Sequence, residues 1–165
     1  MKTVGTLFAV VALSGAPIAR EPITFFGIGA IKVGARVSRI RETVGVEFKD
    51  AELSTSDESC QQYQIGNDDS LVIMAEDGII TRVETWDSRY RTASGAKVGD
   101  TEAQVQRIYG RRLAIEQHTY DETGHYLIVR SKDRKYALVM ETDGKVVTGI
   151  RAGRSPSAEY VEGCL

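Results

Sequence analysis

His118 and His125 are the only histidines in the chain, and Asp121 and Glu122 lie between them. Two imidazoles and a carboxylate are a donor set that zinc or copper accepts. A turn over 121–124 would set Tyr120 opposite His125, and strand alternation would then aim His118 and His125 at one face. The same residues also read as the solvated polar tip of a hairpin, which is the simpler reading. The candidate metal set is therefore His118, Asp121 and His125, with Glu122 beside it.

Cys60 and Cys164 are the only cysteines. As a disulfide they would close a long loop and tie down a chain end that otherwise frays. As a nucleophile, either would need a neighbouring base and a reducing or protected setting. The disulfide is the expectation, because the first segment of the chain reads as an export signal. Lys2 supplies a positive start, residues 4–13 form an apolar run of about ten, and the small residues Ser14, Gly15, Ala16 and Ala19 follow. Cleavage after Ala19 would leave a mature chain in an oxidising compartment, periplasmic or secreted. No later run approaches the ~20 apolar residues needed to span a bilayer.

Other signals for chemistry are thin. Asp57-Glu58 and Asp68-Asp69 are adjacent pairs, and neighbours on a loop do not place carboxylates on two sides of a substrate. There is no Gly-x-Ser-x-Gly elbow and no His-Glu-x-x-His motif. Gly27-Ile28-Gly29 with Gly34 fails as a phosphate loop: Ala35-Arg36 follow Gly34 where a Lys-Ser/Thr pair is required, and Lys32 occupies the third-glycine position of the dinucleotide pattern. These glycines read as turns. Trp86, Arg89, Tyr90 and Arg91 bring together the residue types enriched at protein-binding hot spots. The alternative is that Trp86 plugs a seam in the fold.

The elements that must carry these residues read as an α+β fold written twice. Lys32-Val33-Gly34 recurs as Lys97-Val98-Gly99, and Gly45 recurs as Gly110, both at an interval of 65. Residues 71–78 and 137–144 share an apolar run ending in Met-x-x-Asp-Gly. Val37, Ile40 and Val44 form one helical stripe; Val105, Ile108 and Tyr109 form another, with Asp100 as the expected N-cap and Gly110 as the stop. Strands are expected at 46–49, 61–65, 71–74 and 79–86, then at 113–120, 125–130, 136–141 and 145–151. Asp77-Gly78 and Asp143-Gly144 have the chemistry of hairpin turns. The expected organisation is a signal peptide at 1–19 and two tandem copies, 20–91 and 92–165, each a short helix packed on an antiparallel meander.

Composition fits an ordinary folded domain of 165 residues with 42% apolar content. Twenty-one basic residues against 23 acidic ones do not indicate a nucleic-acid binder, and no cofactor is implied.

The string from Gly99-Asp100-Thr101-Glu102 through Tyr109-Gly110, the Met-x-x-Asp-Gly hairpin and the closing Tyr160-Val161-Glu162-Gly163-Cys164 resemble small exported bacterial proteins of unassigned activity. More remotely, two tandem copies of helix-then-sheet resemble the beta-lactamase inhibitor protein, a duplicated unit whose concave sheet grips an enzyme. A single copy resembles the outer-membrane assembly component BamE, also called SmpA. This chain departs from the first in its few aromatics and single cysteine pair, and from the second in lacking a lipobox cysteine. The resemblance implies an exported, non-catalytic protein-binding module, with no contact residue carried over by motif. The other readings are a metal- or small-ligand-binding envelope protein and a hydrolase of envelope polymers whose acids converge only in space.

Overall fold

The computed structural model describes residues 21–44, 47–50, 59–66 and 68–164. The signal-peptide assignment at 1–19, the acidic pair Asp57-Glu58 and the helix stop at Gly45 lie outside these residues. Three two-residue strands come first: β1 (Ile23–Thr24), β2 (Gly27–Ile28) and β3 (Ile31–Lys32) form a small antiparallel sheet. Its turns use the glycines that fail as a phosphate loop. Gly27 has φ 108°, and a Cβ there would stand 2.1 Å from the Ile31 carbonyl oxygen. Only glycine fits.

Helix α1 (Val37–Val44) follows, then β4 (Phe48–Asp50), β5 (Cys60–Ile65), β6 (Asp68–Glu76) and β7 (Ile79–Thr85). Helix α2 (Glu102–Tyr109) precedes β8 (Leu113–Gln117), β9 (His125–Arg130), β10 (Tyr136–Thr142) and β11 (Val147–Arg154). The eight longer strands make one antiparallel sheet in the order β4-β5-β6-β7-β11-β10-β9-β8. The central join pairs Thr85 with Ile150 and Arg82 with Gly153.

This corrects the expected α+β fold of two tandem helix-on-meander copies. Among the described residues the chain is mostly β, with an eight-stranded sheet, a three-stranded sheet and only two α-helices, each of eight residues. The reason lies in burial. Helix α1 buries only Val37 and Ile40, and α2 only Val105 and Tyr109. So little helical surface cannot roof eight strands, and the strands gain more by sharing one core. That core runs from Ile23 and Ile28 through Ile73 and Val83 to Leu127, Met140 and Ile150.

Local details follow from capping and alternation. The N-cap of α2 is Thr101, one residue beyond the expected Asp100: its hydroxyl accepts from the Gln104 N–H, and the Gln104 side chain accepts from the Thr101 N–H. Asp100 instead accepts from the Lys97 backbone N–H at 2.9 Å. On β7 the register shifts beside β6, so that Ala75 faces Ile80 while Met74 faces Arg82. Thr81 is the extra residue, and the bulge lets both Ile80 and Val83 face the core. Arg82, Glu84 and then Trp86 consequently emerge on the opposite face.

Candidate functional site

That second face is where polar groups collect. After β11, residues 155–164 turn back across it and end at the Cys60–Cys164 disulfide, whose Cα atoms are 5.4 Å apart. Ala158 packs with Tyr126, Ile128, Ala137 and Val139 in a small second apolar cluster. Beneath the strap lie side chains that a strand pattern would assign to solvent. Arg82 is 2% exposed, Glu84 4% and Arg151 7%.

These groups hold the strap through its backbone. Arg82 Nη1 donates to the Tyr160 carbonyl at 2.9 Å and to the Ser157 carbonyl at 3.3 Å. Arg151 Nη1 donates to the Val161 carbonyl at 3.2 Å. Arg82 Nη2 pairs with Glu84 Oε2 at 2.9 Å, and Gln62 Nε2 donates to Glu84 Oε1 at 3.0 Å. Arg151 also reaches Glu141 at 3.4 Å. Burial first, and the neighbouring Arg82 charge second, lower the pKa of Arg151; Glu141 and Glu84 act against them. The Nε atoms of Arg82 and Arg151 have no hydrogen-bond partner among the described residues.

The row of polar groups continues to His118. Its Nε2 lies 3.0 Å from Glu141 Oε1, and its Nδ1 accepts from the backbone N–H groups of Tyr120 and Asp121, each at 3.0 Å. Two donors on Nδ1 place the ring proton on Nε2, which donates to Glu141. The ring stacks on Tyr126 with centroids 4.6 Å apart. His125 takes the other side of the sheet: its Nδ1 is 2.8 Å from Glu102 Oε1 on α2. Gln117, not Tyr120, pairs with His125. The two imidazoles therefore face opposite ways, while Asp121 turns inward on its own loop to accept from the Thr123 N–H and hydroxyl. The structure does not bring His118, Asp121 and His125 together. Among the described residues no group of three His, Cys, Asp or Glu side chains is gathered as a metal site.

The candidate hot-spot residues divide. Trp86 is exposed and lies against Gly149, on the strap-bearing face. Arg89 is exposed and donates to Asp87 at 2.7 Å. Arg91 is exposed, and its segment is held by the bonds of its backbone, one of which runs from the Ile23 N–H to the Arg91 carbonyl at 2.9 Å. Tyr90 is 1% exposed and belongs to the core.

At the end of the strap an open cleft of about 720 Å³ is walled by Glu76 and Asp77 on one side and by Thr119 and Tyr120 on the other. Tyr160 and Glu162 contribute from the strap itself. Among the described residues no Lys, Arg or His lines it, so these walls make its field negative. Outside the cleft, hydrogen bonds within their own turns hold the carboxyls of Asp87, Asp121, Asp133 and Asp143 below the usual carboxylate range.

No family model matches this chain, and no curated protein matches it. A solved structure does share its fold. The crystal structure of the uncharacterized protein YfeY from Escherichia coli superposes with a TM-score of 0.54 at 12% identity, covering 81% of this chain and 99% of that one. An extracellular protein containing an SCP domain, from Bacillus anthracis str. Ames, gives a TM-score of 0.48 at 8% identity. That match covers 93% of this chain and 50% of the other, so the present chain spans about half its length.

Sequence reasoning missed the buried charges and the strap. A signal existed for the first: Arg82 and Glu84 flank Val83 as charged residues inside the expected strand β7. The strap left none, because Arg82 and Arg151 grip main-chain carbonyls, which every residue possesses. The disulfide stands as expected. No helix among the described residues is long and apolar enough to cross a membrane.

Proposed function

We propose that this chain is an exported, non-catalytic binding module that engages a protein partner through the strap-bearing face of its sheet. The observation that carries the reading is a cluster of exposed aromatics: Trp86, Tyr120 and Tyr160 are 51%, 68% and 43% exposed and border this face, whereas Phe26, also exposed, lies away from it against Tyr136. Large aromatics left in water cost free energy that a partner recovers on covering them. The acidic lining formed by Glu76, Asp77 and Glu162 adds a charge preference: the partner presents a Lys or Arg side chain between the two tyrosines. Export, to the periplasm or beyond, rests on the amino-terminal pattern and is supported by the disulfide.

The test compares the chain lacking residues 1–19 with its Trp86→Ala/Tyr120→Ala/Tyr160→Ala variant. Both are immobilised and exposed to periplasmic or culture-fluid protein. A specific partner is retained by the first and lost by the second, and Glu76→Gln/Asp77→Asn weakens retention as salt does. Trp86, the sole tryptophan, reports the purified complex by a blue-shifted emission. Equal retention on the triple variant overturns the reading.

A further inference from the structure

A second surface lies apart from the strap cleft and carries the opposite charge. Where β8 meets the turn between β9 and β10, Arg112, Arg130, Lys132 and Arg134 line a hollow of about 280 Å³ together with Ser131, Ala114 and Ile128. Among the described residues no carboxylate lines it. The chain as a whole is net acidic at -2, so four cations around one depression are a local reversal of its charge.

Glu116 and Glu159 both bind Arg130, so two carboxylates already offset that guanidinium and fix it at the rim; Arg112, Lys132 and Arg134 are the lining cations with no carboxylate partner among the described residues. The Asp133 carboxylate accepts from the Ser131 hydroxyl at 2.7 Å and from the Lys135 N–H at 3.1 Å, within its own turn. Arg112 stacks over the Tyr109 ring. Lys132 and Arg134 have no ion pair among the described residues, and both are exposed. Arg134 has φ 58°, a left-handed conformation that glycine adopts without strain. The turn therefore bears a local cost to present this side chain.

We propose that this hollow binds a phosphate group. Arginine forks and a lysine point charge match tetrahedral phosphate oxygens. The small apolar floor of Ala114 and Ile128 suits the carbon skeleton next to a phosphate ester better than a bare, strongly hydrated ion. The hollow sits at the low end of the size range of small-molecule sites, which fits one headgroup-sized moiety. The source is either a soluble phosphate ester or the headgroup of an anionic phospholipid.

The test titrates the disulfide-bonded chain at low ionic strength with glycerol 3-phosphate, following the amide resonances of residues 130–135. In parallel, the chain is sedimented with vesicles of phosphatidylglycerol and, as a control, phosphatidylcholine. Saturable shifts at the hollow with glycerol 3-phosphate support a soluble ester. Sedimentation with phosphatidylglycerol alone supports a lipid headgroup. In either arm Arg134→Gly is the diagnostic variant: it relaxes the turn, keeps or raises the melting temperature, and weakens binding about tenfold. Lys132→Ala weakens it as well. Absence of binding in both arms, or binding unchanged in Arg134→Gly and Lys132→Ala, overturns the proposal. The strap-face variant used above leaves this binding intact, so the two sites fail independently.

Discussion

Arg82 and Glu84 project from the same side of β7 and meet at 2.9 Å with side-chain exposures of 2% and 6%. A charge pair this deep persists because its remaining hydrogen-bonding capacity is largely met. Glu84 accepts from Gln62, and Arg82 donates to two carbonyls of the strap. The pair therefore joins the sheet to the chain segment that covers it.

Removing one partner should be worse than removing both. Arg82→Met leaves a buried carboxylate without its counter-charge, at a cost of about 3–5 kcal/mol. Glu84→Met strands the guanidinium in the same way. The double variant should lose well under the sum of the two, because two apolar side chains bury without an orphaned charge. Urea unfolding of the three variants measures this, and additive losses would show that the pair is not coupled.

The disulfide closes a loop of 104 residues and anchors the strap at its far end. Replacing both Cys60 and Cys164 by Ser should cost roughly 2–5 kcal/mol in global stability. The loss should be accompanied by a local one: limited proteolysis should cut residues 160–163 before any sheet strand, since that end of the strap then keeps only light anchoring, chiefly the Arg82 and Arg151 side chains on the carbonyls of Tyr160 and Val161. Mass spectrometry of the first fragments distinguishes this from cleavage spread along the chain.

Much of the sheet was legible in the sequence because its strands are long and bounded by turn chemistry. The expected strand at 125–130 coincides with β9, and those at 61–65, 79–86 and 136–141 match β5, β7 and β10 to within one residue at either end. Asp77-Gly78 makes the turn expected of it, with φ of 50° and 72°. Strands β1 to β3 were not legible, since two residues carry no period. Nor was the sheet order, because the pairing of Glu84 with Arg151 joins residues far apart in sequence and leaves no local mark. The candidate metal set failed on register: His118 donates its N–H to the Gly124 carbonyl, so the loop starts at His118, and an odd displacement reverses the face. Whether Trp86 is exposed or plugs a seam was not legible either: it is half-exposed, whereas Tyr90, four residues on, is core.

Two glycines of β11 should respond differently to the same substitution. A Cβ on Gly153 would stand 2.1 Å from the Thr81 carbonyl oxygen and 2.8 Å from the Arg82 Cα, so Gly153→Ala must separate β7 from β11. Its backbone angles are ordinary for any residue, and the cost is therefore steric, about 2–3 kcal/mol. At Gly149 the nearest atom is Trp86 Cδ1 at 3.3 Å, on a half-exposed ring that can swing aside. Gly149→Ala should leave stability nearly unchanged while altering tryptophan emission. Thermal melts and fluorescence spectra of the two variants test the contrast.

Alkaline stability should report Tyr109. Its hydroxyl donates to Thr92 Oγ1 at 2.8 Å inside the core. Burial raises its pKa above the ordinary value, and the hydrogen bonds to Thr92 and Ser94 and the nearby Arg112 charge offset this only in part. Because the folded pKa is the higher one, the unfolded chain gives up this proton first as pH rises. The protonated phenol's contribution is complete below about pH 10, the ordinary tyrosine value, and is lost as pH climbs through the raised folded value. Tyr109→Phe should therefore cost about 1 kcal/mol at pH 7, from the missing hydrogen bond. Above pH 10 the gap between variant and parent should narrow, because phenylalanine has no proton to lose. Unfolding free energies measured from pH 7 to 11 decide the matter: a constant gap across that range would mean that ionisation of Tyr109 is not coupled to folding.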